Sequence, residues 1–183
     1  TKDASRIWRV SEKLQYGMFI HYGMSTYTGI EIPRTPAPLA DFPVDKAEPE
    51  QWARVAKEAG MKYAVLTTKH CYGHCLWPSK YTDYRVPDDH DIVRRFVDAC
   101  RHEGIKPGFY YLLGWDCEHQ PKMNPVQYEK FVNDQLAELL TNYGPSVELW
   151  LDISWDLGPD CQAALQRLYD HLHKLQPDCL VMF

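Results

Sequence analysis

The sequence predicts an α/β fold of the (β/α)8 TIM-like barrel class, with only the first five βα units present. Three observations carry that expectation. Short apolar runs of strand length recur along the 183 residues. Segments with helical spacing separate them, giving a strand-to-strand repeat of roughly 35 to 45 residues, the signature of parallel strands joined by right-handed crossovers. Polar and reactive residues stand just after the runs, where barrels of this class keep their chemistry.

The runs are Tyr16 to His21 (YGMFIH), Tyr63 to Thr67 (YAVLT), Pro107 to Leu113 (PGFYYLL), Val147 to Asp152 (VELWLD) and Cys179 to Phe183 (CLVMF). Each is nearly continuous in apolar residues, as expected of a strand covered on both faces. A Pro-rich stretch from Ile32 to Pro43 follows the first run and reads as a long βα loop over the top of the sheet. Pro49 to Ala59 reads as a helix with Pro in its first turn, an apolar stripe of Trp52, Val55, Ala56 and Ala59, and Gly60 at its end. Asp91 to His102 repeats the plan, with Ile92, Phe96, Ala99 and Cys100 on one face and Gly104 closing it. Tyr128 to Leu140 and Cys161 to Leu175 complete the helical segments.

An open doubly wound sheet is the other arrangement of such units, and it normally carries a Gly-rich phosphate loop after its first strand. Here Gly23 is followed by Met-Ser-Thr-Tyr-Thr-Gly, which offers no G-x-G-x-x-G. The strand ends favour the barrel: His21 after the first run, Lys69 and His70 after the second, Trp115 and Asp116 after the third, and Asp152, Ser154 and Trp155 after the fourth. A complete barrel takes about 250 residues, so residues 1–183 are expected to form a partial barrel that stops before the C-terminal strands. Five strands do not close a cylinder, and the open sheet edges are expected to favour self-association.

Composition narrows the function classes. With 45% hydrophobic and 25% charged residues, the chain has the make-up of one globular domain. Twenty Lys and Arg against 25 Asp and Glu, a net charge of −5, leave no basic footprint for nucleic acid. No apolar stretch approaches the roughly 20 residues of a membrane span, and the start TKDASRIWRV has neither an apolar h-region nor a cleavage site. A leader already removed would imply a secreted, periplasmic or lysosomal setting, and otherwise a cytoplasmic one. The 6 cysteines are too scattered for a disulfide scaffold. His70-Cys71-x-x-His74-Cys75 has the ligand types for zinc or iron, but a second ligand pair at suitable spacing is missing, so neither a metal nor any other cofactor is expected. A thiol at Cys71 with a pKa lowered beside His70 is a further reading of the same segment.

Four segments in register, YGMFIHYG, EQWARVAKEAGMKYAVLTTKH, CLWPSKYTDY and LLTNYGPSVELWLD, closely resemble the catalytic domain of the α-L-fucosidases of glycoside hydrolase family 29. The resemblance spans nearly the whole chain. It implies a (β/α)8-like barrel and retaining hydrolysis of α-linked L-fucose in glycans or glycosides, by a double displacement. It also implies that Asp152, in the LW-x-D motif, is the nucleophile, and that His21 and His70 contact sugar hydroxyls. The chemistry is compatible: a retaining glycosidase needs an ionised carboxylate on a rigid support, and imidazole both donates and accepts. Cys71 stands where family members usually carry a second sugar-binding histidine, so it is a substrate-contact candidate and bears on the choice between fucose and a related sugar such as L-galactose. Tyr111 is expected to offer its ring or hydroxyl to the pocket, and Trp155 and Trp115 to line its wall. The family's acid/base lies further along the chain than these residues extend. Asp116 and Glu118 are acids at the same face, neither assigned that role, and the Glu-Trp pair that many members carry in the loop after the first strand has no clear counterpart here, Glu31 being the nearest acid. A catalytically inactive fucosidase-like fragment or sugar-binding module is the competing reading, against which Asp152 is the discriminating residue.

Overall fold

The computed structural model describes residues 12–153 and 157–183. Five strands form one parallel sheet in sequential order: β1 (Gly17–Ile20), β2 (Tyr63–Lys69), β3 (Lys106–Leu112), β4 (Glu148–Asp152) and β5 (Leu180–Met182). Helices α2 (Pro49–Glu58), α3 (Ile92–Glu103), α4 (Pro125–Asn142) and α5 (Cys161–Leu175) make the crossovers, and a short α1 (Met24–Thr28) follows β1. Sequential parallel order with a crossover helix between neighbours is an arc of a (β/α)8 barrel. The first four units each carry a helix, and the fifth is represented by its strand.

Local chemistry explains the helix bounds. At the start of α3, the Asp91 side chain accepts the backbone N–H of Arg94 at 2.8 Å, and the helix closes on Gly104. Helix α4 begins a turn earlier than its apolar periodicity indicates. Asn124 and Gln127 form a reciprocal capping box, each side chain accepting the other's backbone N–H at 3.0 Å, with Pro125 as the first helical residue. Helix α5 lays Ala164, Leu168 and Leu172 on the sheet at four-residue intervals.

In α2 the buried stripe is rotated from the expected one. Ala53 and Ala56 face the sheet, whereas Val55 is 38% exposed and Ala59 lies at the surface. Small residues at the contact let the helix approach closely. Trp52 packs sideways on the ring of Tyr22, 5.0 Å between centroids.

The sheet's two faces differ in cover. Ala64, Leu66, Phe109, Tyr111, Leu149 and Leu151 join the main core beneath the helices. The other, inner face carries Phe19, Val65, Tyr110 and Trp150, and a small separate cluster of Val65, Cys71, Tyr110, Leu112 and Ile153. Phe19, Tyr110 and Trp150 meet edge to face at 5.2 to 6.4 Å. Phe19 and Trp150 remain 44% and 40% exposed.

Candidate active site

Asp152 ends β4, and its carboxylate is held from two sides. The Tyr110 hydroxyl donates to Oδ2 at 2.8 Å, and the backbone N–H of Ile153 donates to Oδ1 at 2.8 Å. The second contact depends on backbone geometry, because Ile153 has φ 53, a left-handed conformation that a β-branched residue rarely adopts. Local strain of this kind persists where surrounding contacts over-determine it; here Ile153 packs among Cys71, Tyr110 and Leu112. Burial and the hydrogen bond to Asp152 both push the Tyr110 phenol well above its ordinary range, so it remains a donor.

His70 follows β2 and stacks on the Tyr110 ring, 5.8 Å between centroids at 30°. Its other neighbour is His21 after β1, whose ring lies edge-on at 4.5 Å. Burial, and then the neighbouring His21, bring the His70 pKa down to about 4, against the opposing pull of Asp152. Its Nδ1 is buried and has no hydrogen-bond partner among the described residues, so a proton there would be unsatisfied. His70 is therefore a neutral imidazole near pH 7, suited to exchanging hydrogen bonds with hydroxyls. The exposed His21 lines a shallow groove with Ser25, Thr26, Gly29 and Glu31. The Glu31 charge reaches Cys71 and Tyr110.

Cys71 lies against this group but is 2% exposed, and burial pushes its thiol up to about 11. That reverses the expectation of a lowered thiol pKa, because desolvation penalises the thiolate and the charges of Glu31, Asp152 and Asp116 add to the penalty. Tyr111 is also corrected. Its side chain points to the helix layer, fully buried, and its hydroxyl donates to Gln135 Oε1 of α4 at 2.7 Å. Successive residues of a strand face opposite ways, so Tyr110 takes the inward position. Trp155 lies outside the described residues, and Trp115 is 44% exposed on the loop after β3.

Asp116 is fully engaged elsewhere. Lys69 Nζ donates to its Oδ2 at 2.6 Å, His119 Nδ1 lies 2.9 Å from the same oxygen, and both side chains of the Lys69–Asp116 pair are fully buried. Burial acts to raise this carboxyl, but Lys69 and His119 outweigh it and hold the group well below the usual carboxylate range. Glu118 pairs with Lys122. Among the described residues, no group of three or more His, Cys, Asp or Glu is arranged to hold a metal ion. A groove of about 580 Å³ sits at the opposite end of the sheet, against Gly104 to Pro107, Pro145 to Val147 and Asp178. It lies where β3 begins, at Lys106 and Pro107, whereas barrels of this class keep their chemistry at the C-terminal strand ends, so the strand ends around Asp152 are the better candidate.

The family model described as Alpha-L-fucosidase matches residues 37–182. The chain is 34% identical to Alpha-L-fucosidase 1 of Arabidopsis thaliana, over 93% of this chain and 36% of that protein. It is 36% identical to Putative alpha-L-fucosidase 1 of Oryza sativa subsp. japonica, over 92% of this chain and 33% of that one. The chain thus spans about a third of the length of these curated relatives. Among solved structures, a glycoside hydrolase 29 family member from an unknown rumen bacterium superposes with a TM-score of 0.84 at 34% identity, covering 96% of this chain and 35% of its own. Alpha-L-fucosidase AlfC from Lactobacillus casei, in complex with alpha-L-fucose product, gives a TM-score of 0.75 at 25% identity, covering 96% of this chain and 68% of its own. With most of its length matched by the family model and its fold shared with these structures, the chain belongs to the α-L-fucosidase family, glycoside hydrolase family 29.

Proposed function

We propose that this chain supplies the nucleophile-bearing part of a retaining glycoside hydrolase that cleaves α-L-fucosides or a closely related sugar. The observation that carries the reading is the Asp152 carboxylate, at a strand end, fixed by the Tyr110 hydroxyl and the Ile153 N–H beside His70 and His21. In the first displacement Asp152 attacks the anomeric carbon as the bond to the leaving oxygen breaks, and a second carboxyl gives that oxygen a proton. In the second, water loses a proton to the same group, now the base, and its oxygen attacks the anomeric carbon, which breaks the glycosyl ester and returns Asp152 as a carboxylate. His21 and His70 hold ring hydroxyls, and Cys71 narrows the pocket from beneath. Asp116 is not the proton donor in this scheme, because its oxygens are committed to Lys69 and His119.

The test is hydrolysis of an aryl α-L-fucoside by the full-length protein and its Asp152→Asn variant. The variant should keep its circular dichroism spectrum and lose at least roughly 10³-fold in kcat. Proton NMR of the first product should show the α anomer, and a 2-deoxy-2-fluoro fucosyl reagent should leave its mass on the peptide bearing Asp152. Undiminished turnover in the variant, or a β product, would overturn the assignment.

Residues 1–183 expressed alone are expected to associate, because β1 and β5 are edge strands and the inner face exposes Phe19, Trp150 and Met182. Light scattering should show a mass that rises with concentration. Among the described residues, no helix is long and apolar enough to cross a membrane.

A further inference from the structure

Strand β2 departs once from regular pairing. Val65, Leu66 and Thr67 pair in turn with Gly108, Phe109 and Tyr110, but the next residue of β3, Tyr111, pairs with Lys69. Thr68 is the extra residue, and its Oγ1 donates to the Tyr110 carbonyl at 2.8 Å. Side chains alternate along a strand, so regular pairing would put Lys69 on the inner face with Val65 and Thr67 and turn His70 into the helix layer. The bulge reverses that phase. Lys69 goes to the helix side, and His70 faces Tyr110 and His21.

A buried network holds Lys69 there. Its ammonium pairs with Asp116 at 2.6 Å and lies 4.4 Å from the centroid of the Tyr111 ring. Asp116 Oδ1 also accepts the backbone N–H groups of Glu118 and His119, at 3.1 and 2.9 Å. His119 stacks on Phe131 at 4.7 Å, and its Nε2 lies 2.7 Å from Thr82 Oγ1. A buried charge is tolerated only with such partners, so the paired position outside the sheet is where this lysine is satisfied.

We propose that the Lys69–Asp116–His119 network is a positioning device that keeps β2 in its bulged phase and thereby holds the His70 ring on the Asp152 side of the sheet. The three residues are positioning residues, since the ion pair is sealed from the face where a sugar would sit. The proposal rests on the reading of the Asp152 site given above, but its readout involves no sugar and no turnover, so the two fail separately.

The experiment records ring-to-ring nuclear Overhauser contacts in the full-length protein labelled on histidine and tyrosine. The native protein should show His70–Tyr110 and His70–His21 contacts. The double variant Lys69→Met/Asp116→Asn, which removes both charges together, should lose both while keeping the circular dichroism spectrum of a folded protein. Leu168→Ala, a core truncation on α5, which supplies none of the network's residues, should keep them, which separates positioning from general destabilisation. Where the double variant does not fold, Lys69→Met alone is read in the same way, because Asp116 there keeps His119 and two backbone N–H groups. Persistence of both contacts in the folded variant would overturn the proposal.

Discussion

Tyr110 and Tyr111 are chain neighbours whose hydroxyls serve opposite faces of the sheet: Tyr110 donates to Asp152 at 2.8 Å, and Tyr111 donates to Gln135 under the helices at 2.7 Å. The same deletion of one oxygen should therefore have two different consequences. Tyr110→Phe removes a donor to a charged acceptor, an interaction of about 1.5–3 kcal/mol. If that stabilisation is felt in the transition state, kcat should fall by roughly 10- to 100-fold with little change in unfolding midpoint. Tyr111→Phe leaves the buried Gln135 oxygen without its donor and should cost about 1–3 kcal/mol of stability with kcat nearly unchanged. Paired kinetics and urea melts would expose the reverse pattern if the faces were misassigned.

How far the sequence discloses this arrangement depends on which physical signal each part leaves. The five strands appear as apolar runs because both faces of the sheet are covered, and all five lie where those runs are. That double cover also erases the alternation that tells inward from outward: β3 is buried from Pro107 to Leu112, so nothing in the pattern separates Tyr110 from Tyr111. The bulge at Thr68 leaves no compositional mark, and Lys69 in an apolar run is the one visible sign that a charge is being held inside. Asp152, His21 and His70 were legible through motifs, whereas the Ile153 N–H contact depends on a backbone conformation.

Acid should weaken the fold through two histidines. Burial brings both His70 and His74 from the ordinary 6.5 down to about 4. Between those values the unfolded chain binds protons that the folded chain refuses, so stability falls as pH falls. The contribution is full above about pH 6.5, is lost progressively toward pH 4, and changes no further below both values. Asp91 and Glu148, whose carboxyls burial raises, act with the opposite sign. Urea midpoints measured from pH 7 to 4.5 should decline, and His74→Leu, which keeps an apolar contact to Phe42 and Tyr84, should flatten the decline. An equally steep decline in the variant would remove His74 from the account.

Cys71 should behave as a core residue rather than a reagent. Its thiol is pushed up to about 11 and is 2% exposed, whereas Cys161 at the start of α5 is half-buried. Iodoacetamide at pH 8 attacks thiolates in proportion to their population and access. Peptide mapping should find Cys161 modified in the native protein and Cys71 modified only after denaturant is added. Rapid native labelling of Cys71 would instead mean that the sulfur opens to the sugar face, and would make it a direct contact.

Gly73 is the point at which the loop after β2 closes over the buried ion pair. It has φ +79, and a Cβ built there would lie 2.2 Å from Asp116 Oδ1 and 2.8 Å from His119 Nδ1. Gly73→Ala therefore combines a left-handed backbone cost of about 1–2 kcal/mol with displacement of a carboxylate that cannot move without leaving Lys69 unpaired. Gly29 supplies the control, since it has φ +71 but nothing within 4 Å of the added carbon. Gly29→Ala should cost only the backbone component, about 1–2 kcal/mol. Gly73→Ala should exceed it by roughly 2 kcal/mol or more in urea unfolding, the excess measuring disturbance of a buried pair. Equal costs at the two positions would mean that Asp116 yields freely, which a carboxylate held by Lys69, His119 and two backbone N–H groups should not do.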